Sequence, residues 1–227
     1  QRFAERFRIP VVTTMMGLGL MPSSHPLYLG MLGSFGCSAA NYAIHHSDLL
    51  ILIGTRAGDR AMRQPGVLER QTRIIHIDID PAEIRKNMEA NIPLVADARL
   101  VLEELCETCQ ATDTGMWLAE LREKQGVGAP FSDRPSFVNP HRLIAALTKA
   151  LDSDAVYVAD VGLNQIWSAR SANIKDGRFL TSGGMGTMGY ALPAAMGARL
   201  ATTARQVVAV MGDGGFQMSM QELATLC

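Results

Sequence analysis

Short β-rich runs alternate with helical patterns along the whole chain, which is the pattern of a parallel α/β sheet. Strands are expected near Val11–Thr14, Leu49–Gly54, Ile74–Asp78 and Pro93–Ala96. These runs are apolar at successive positions, as strands buried on both faces are. Leu49 to Ile53 is the longest of them. Helices are expected from about Ala98 to Cys109 and over Met116–Lys124. The loop GVGAPFSDRPSFVNP then gathers Gly and Pro as an inter-domain linker does. A second series opens with Asn139 as N-cap and Pro140 at the first helical position, which predicts a helix to about Leu151. Strands follow near Val156–Asp160, Phe179–Ser182 and Gln206–Met211, with the small-residue run YALPAAMGARLA between the last two. The expected fold class is therefore α/β with two parallel-sheet units. The first is a Rossmann-like unit over residues 1–109, the second spans 139–227, and 110–138 is the linker.

Composition excludes several classes. At roughly 150 residues per domain, 227 residues make one large domain or two modest ones. A net charge of −1, from 21 basic and 22 acidic residues, gives no broad footprint for nucleic acid and no polybasic patch for a membrane surface. No apolar run is long enough for a transmembrane helix. An apolar fraction of 48% excludes disorder. The opening QRFAERFRIP has no apolar core and no small-residue cleavage site, so it reads as a helix end entering a strand and not as a signal peptide. With Cys227 inside a helical pattern, the expectation is a piece of a longer protein. Cys37, Cys106, Cys109 and Cys227 are too few for a secreted disulfide scaffold. The Cys106-x-x-Cys109 pair ends the run Leu100, Val101, Leu102, Leu105, and no second pair follows at zinc spacing. Reduced thiols and a cytoplasmic location are expected.

The strongest local signal is VVAVMGDGGFQMSMQELATL. A buried strand ends at Met211, and Asp213 follows among Gly212, Gly214 and Gly215. Parallel sheets bind ligands beyond the carboxyl ends of their strands. An acid there can hold a hard cation such as Mg²⁺, and glycines let backbone N–H groups approach phosphate oxygens. Ser219 and Glu222 have the spacing of a capping box for the helix that follows. The competing reading is a plain βα turn whose Asp caps a helix. A second signal, TSGGMGTMGY, contains GxGxxG from Gly184 to Gly189, formally a dinucleotide fingerprint. Against that reading, FLTS is short and polar at its end, and Asp213 lies in a glycine turn and not at a ribose-reading corner. With 13 Met in the chain, core packing is the alternative for Met188. His45 and His46 face different sides of a helix, and they, Arg73 and His76 read as structural.

These segments resemble one enzyme family. GDGGFQMSMQELATL resembles the opening of the thiamine-diphosphate signature, and FLTSGGMGTMGYALPAAMGARLA the segment before it in the same enzymes. DVGLNQIW resembles the phosphate-side loop that acetolactate synthases write VGQNQIW or VGQHQMW. LGMLGSFGCSAANYAIHHSDLLILIGTRAGDR and IIHIDIDPAEIRKN are similar to that family's central domain. In this order and over nearly the whole chain, they point to the family of acetolactate synthase large, catalytic subunits.

The resemblance implies roles. Asp213 would ligate Mg²⁺, Gly214 and Gly215 would present backbone to the diphosphate, and Leu163 and Asn164 would lie on its other side. Met188 would sit beneath the cofactor and force its bent, reactive shape, and Gly186 would accept the aminopyrimidine on its backbone. Gly33, Gly54, Arg56, Asp78 and Ile79 match segments that line an FAD site in flavin-containing members. There are departures. Leu163 stands where the family usually has Gln, Leu32-Gly33-Ser34-Phe35-Gly36 lacks the family's His, and Gly54-Thr55-Arg56-Ala57-Gly58-Asp59-Arg60 lacks a Phe and an Asp. The implied activity decarboxylates pyruvate and joins the remaining unit to a second 2-keto acid, in branched-chain amino acid biosynthesis. The implied partners are small 2-keto acids, further copies in a dimer or tetramer, and a regulatory subunit, without nucleic acid or membrane. The family's catalytic Glu and its Asn metal ligand are expected outside this chain, which alone is expected to be inactive. Two other readings keep part of the pattern: a different thiamine-diphosphate 2-keto acid decarboxylase or glyoxylate carboligase, and a non-catalytic nucleotide-binding module.

Overall fold

The computed structural model describes residues 1–62, 65–125, 136–202 and 205–226. Residues 126–135 of the expected linker lie outside the described residues. In chain order the elements are α1 (Arg2–Phe7), β1 (Val11–Thr13), β2 (Tyr28–Met31), α2 (Ser38–His46), β3 (Leu49–Ile53), α3 (Pro65–Gln71), β4 (Arg73–Asp78), β5 (Ile92–Val95), α4 (Ala98–Thr108) and α5 (Gly115–Lys124). There follow α6 (Pro140–Ala150), β6 (Val156–Ala159), α7 (Leu163–Ser171), β7 (Arg178–Thr181), α8 (Ala191–Ala201), β8 (Val207–Val210), α9 (Asp213–Ser219) and α10 (Leu223–Leu226). The chain divides into two compact units, residues 1–14 with 32–128 and residues 15–31 with 129–227. Residues 15–31, which the sequence reading groups with the first unit, therefore pack in the second. There Ser23 N donates to Ile174 O at 2.7 Å, and Met31 shares a core with Tyr157 and Phe179.

In the first unit β3, β4 and β5 form a parallel sheet, with Ile53 opposite Ile77 and Ile77 opposite Leu94. Leu50, Leu52, Ile74 and Ile77 are buried. The expectation that β3 is covered on both faces does not hold in this chain. Leu49 and Ile53 are 46% and 40% exposed, because β3 is an edge strand whose alternate residues point away from the core. Asp97 starts α4 by accepting from Arg99 N at 2.7 Å and Leu100 N at 3.4 Å. Helix α5, which lies within the expected linker, buries Leu118 and Leu121 and packs against α2.

In the second unit the parallel order is β7-β6-β8, and central β6 is buried throughout. The rings of Tyr157 and Phe179 stack 5.6 Å apart on one face. On the other, Ala191, Ala194, Ala195 and Ala198 of α8 pack against Val156 and Val158. The small residues let α8 lie close to the sheet. Asn139 caps α6, its side chain accepting from His141 N at 3.0 Å and Arg142 N at 3.3 Å, with Pro140 in the first turn.

Candidate active site

Ala159 of β6 stands opposite Val210 of β8, so the two strands end side by side. Asp160 N donates to Val210 O at 2.9 Å and closes that end of the ladder. Helix α7 starts directly after Gly162, which takes φ 139°, and α9 starts at Asp213. Two helices thus open at the carboxyl ends of the neighbouring strands β6 and β8, and the first N–H groups of each have no partner within their own helix. Each helix start carries a partial positive charge.

Asp213 is exposed in the first turn of α9. Gly214 and Gly215 follow it under tight contact. A Cβ on Gly214 would stand 2.9 Å from Met188 Cε, and one on Gly215 would stand 2.9 Å from Asp160 Cγ. Met188, 41% exposed, therefore reaches the turn after β8. Gly186 takes φ 67° beside open space. Leu163 is 63% exposed. Asn164 is buried, and its Nδ2 donates to Asp160 O at 2.9 Å and Val210 O at 3.1 Å. Both amide hydrogens are thereby used to clasp β6 to β8, and the backbone of the first turn of α7 is what this position offers a phosphate. Gln165 Nε2 donates to Thr181 Oγ1 at 2.7 Å and ties α7 to β7.

The capping box expected from Ser219 and Glu222 is absent. Helix α9 begins six residues earlier, at Asp213, and Ser219 is its last residue. Ser219 is buried and donates to Gly215 O at 3.3 Å. The helical phase is set where the chain leaves the strand, not at the Ser-x-x-Glu spacing.

Sequence reasoning did not single out Asp160. It is fully buried and accepts from Val161 N at 2.7 Å, Gly189 N at 3.1 Å and Ala191 N at 3.1 Å. The signal available was an acid closing an apolar strand two residues before Gly162. Among the described residues no group of three or more His, Cys, Asp or Glu side chains gathers that could hold a metal ion. Asp213 with phosphate oxygens and water is nonetheless a donor set that suits Mg²⁺, which takes few protein carboxylates when phosphate is present. The N–H groups without helical partners at the starts of α7 and α9 suit a bound diphosphate.

In the first unit, Gly54 N donates to Ile77 O at 2.9 Å, so Gly54 and Asp78 sit at neighbouring strand ends. Buried His76 donates from Nε2 to Thr55 O at 3.0 Å, and Asn87 Nδ2 donates to Arg56 O at 2.7 Å, which fixes the backbone of that loop. The Arg56 and Ile79 side chains are exposed. Gly33, at φ 106°, exchanges two hydrogen bonds with the Asn41 side chain, at 2.8 and 3.0 Å. A Cβ there would collide with Arg60 O, so glycine is required. A cleft of about 250 Å³ is lined by Gly33, Ser34, Asn41, His45 and Met62 among others. Gly54, Arg56, Asp78 and Ile79 do not line it.

Residues 1–105 match the family model for the central domain of thiamine pyrophosphate enzymes, and residues 160–227 match the model for their C-terminal TPP binding domain. The chain belongs to the thiamine pyrophosphate enzymes. Within them it is similar, over 99% of its length, to the probable acetolactate synthase large subunit of Methanocaldococcus jannaschii at 44% identity. It is similar over the same share to the acetolactate synthase large subunit of Lactococcus lactis at 41%, and to the isozyme 1 large subunit of Escherichia coli at 38%. The chain covers 40% of each of these three proteins.

Proposed function

We propose that this chain is part of an acetolactate synthase that uses thiamine diphosphate and Mg²⁺ to decarboxylate pyruvate and join the product to a second 2-keto acid. The observation that carries the reading is the meeting of the Met188 loop with the Gly214–Gly215 turn beside Asp213, at the strand ends that open α7 and α9. When bound, thiamine diphosphate supplies the carbon nucleophile and the electron sink for decarboxylation. The chain's own residues hold it. Asp213 would coordinate Mg²⁺, Gly214, Gly215 and the first turn of α7 at Leu163 and Asn164 would donate N–H groups to the diphosphate, and Gly186 would meet the aminopyrimidine. Met188 would hold the bound cofactor in its reactive conformation.

The same reading takes FAD at Gly33, Gly54, Arg56, Asp78 and Ile79, a homo-oligomer, a regulatory subunit and a cytoplasmic location. The similarity to proteins named large subunits supports the regulatory partner. Incubating the full-length polypeptide with pyruvate, Mg²⁺ and thiamine diphosphate tests the activity. Acetolactate is the expected product. Acetaldehyde alone, or turnover of glyoxylate in place of pyruvate, would assign the chemistry to a related decarboxylase or carboligase. Absence of flavin absorbance after reconstitution with FAD would remove the flavin from this reading and leave the thiamine site intact.

A further inference from the structure

Asp160 sits at the carboxyl end of the central strand β6 with no exposed surface. An ionised side chain in such a place costs heavily unless it is well bonded. Here Oδ1 accepts from Val161 N at 2.7 Å and from Gly189 N at 3.1 Å, and Oδ2 accepts from Ala191 N at 3.1 Å. Two of these donors lie 29 and 31 residues along the chain. Gly215 closes against the carboxyl group, where a Cβ would stand 2.9 Å from Cγ and 3.1 Å from each oxygen. One carboxylate therefore touches the turn into α7, the loop that carries Gly186 and Met188, and the first turn of α9. Capping α8 would need the Ala191 bond alone. The bond to Gly189, which takes φ 80° outside any helix, fixes the loop itself.

We propose that Asp160 is a positioning residue, whose buried carboxylate holds the Gly186–Met188 loop at a set distance from Gly214 and Gly215 before any cofactor arrives. The role rests on the thiamine-diphosphate reading above. Bonds from N–H groups to a carboxylate are stronger than neutral ones, and all three donors point at a group that can only accept. Asparagine keeps the shape but loses the charge that strengthens all three bonds, and its NH₂ faces either the Ala191 donor or the Val161 and Gly189 donors.

The test compares Asp160→Asn with wild type in the full-length polypeptide. Thiamine diphosphate is titrated at saturating Mg²⁺ and followed by the near-ultraviolet circular dichroism of the bound cofactor, with the melting temperature of the cofactor-free protein measured alongside. The expected loss of affinity is about 10- to 100-fold, the range for groups that orient ligand-holding residues. The dichroism of the cofactor that still binds should change, because Met188 no longer holds its place. Affinity and dichroism within twofold of wild type overturn the proposal, even if the melting temperature falls. Should Asp160→Asn fail to fold, hydrogen exchange on the cofactor-free wild type decides. The Gly189 and Ala191 amides should exchange as slowly as those of β6, and exchange at loop rates overturns the proposal. A wild type that binds no thiamine diphosphate overturns the cofactor reading, and with it this role.

Discussion

Alanine at Gly214 and alanine at Gly215 should change stability in opposite directions, although the two residues are neighbours in the first turn of α9. Both substitutions gain helix propensity, up to about 1 kcal/mol. At Gly214 the new methyl meets Met188 Cε at 2.9 Å, the tip of a flexible side chain that is 41% exposed and free to rotate away. The expected result is no loss, or a gain of up to about 1 kcal/mol. At Gly215 the methyl meets Asp160 Cγ at 2.9 Å, and three N–H groups pin that carboxyl in a fully buried place. Backbone must move, at a cost of about 1–3 kcal/mol for overpacking. Stretching a bond to a charged group adds part of the roughly 1.5–3 kcal/mol that such a bond is worth. After the propensity gain, Gly215→Ala should lose about 1–3 kcal/mol net. The chain carries one Trp in each unit, Trp117 and Trp167. In a Trp117→Phe background, urea unfolding followed by Trp167 fluorescence reports the second unit, and the midpoint at constant slope gives the change. Gly215→Ala as stable as its parent, or less harmful than Gly214→Ala, would refute the tight packing of Gly215 on Asp160.

Asp213→Ala in the full-length polypeptide should abolish retention of thiamine diphosphate at fixed Mg²⁺, with Asp213→Asn milder, because an amide oxygen still coordinates. Wild-type affinity in the Ala variant would leave Asp213 as a helix-start residue. Tyr157→Phe removes a 2.8 Å bond and strands the fully buried Ser168 hydroxyl, costing about 1–3 kcal/mol. Adding Ser168→Ala should recover most of that in denaturant unfolding, and no recovery would mean the hydroxyl finds another partner. Burial pushes the Tyr157 hydroxyl up to about 12, against the opposing pull of its Ser168 bond, so its tyrosinate absorbance should appear only near that pH. Burial, and secondarily Arg170, lower the pKa of His141, whose Nδ1 lies 2.7 Å from Ser171 Oγ. The unfolded chain then takes up the proton first. The contribution of His141 is complete above the ordinary histidine value of about 6.5 and is lost as pH falls through the lower folded value. His141→Gln should flatten the fall in melting temperature below that pH, and an unchanged slope would assign the fall to other groups.

Several features of this protein are legible in local sequence, because their causes lie within one turn of the residues concerned. Asn139 followed by Pro140 starts α6 as expected, since a cap bonds N–H groups two and three residues ahead. The apolar runs become strands within a residue or two of their expected ends, and Asp213 stands at a strand end because Met211 alone separates GDGG from VVAV. The features that build the site depend on residues far apart in the chain. Asp160 is bonded to amides 29 and 31 positions away, which leaves no periodicity or spacing to read. Asn164 carries the right chemistry for a phosphate donor, but its side-chain amide is taken by Asp160 O and by Val210 O, 46 positions on. Ser219 has the spacing of a cap and lies at the wrong end of its helix, because the start of α9 is set by the end of β8. Residues 15–31 belong by sequence neighbourhood to one unit and by packing to the other, since a short strand joins whichever core buries it. Local hydrogen-bonding preferences determined where elements begin. Burial and bonding between distant segments decided which groups remain free to meet a cofactor.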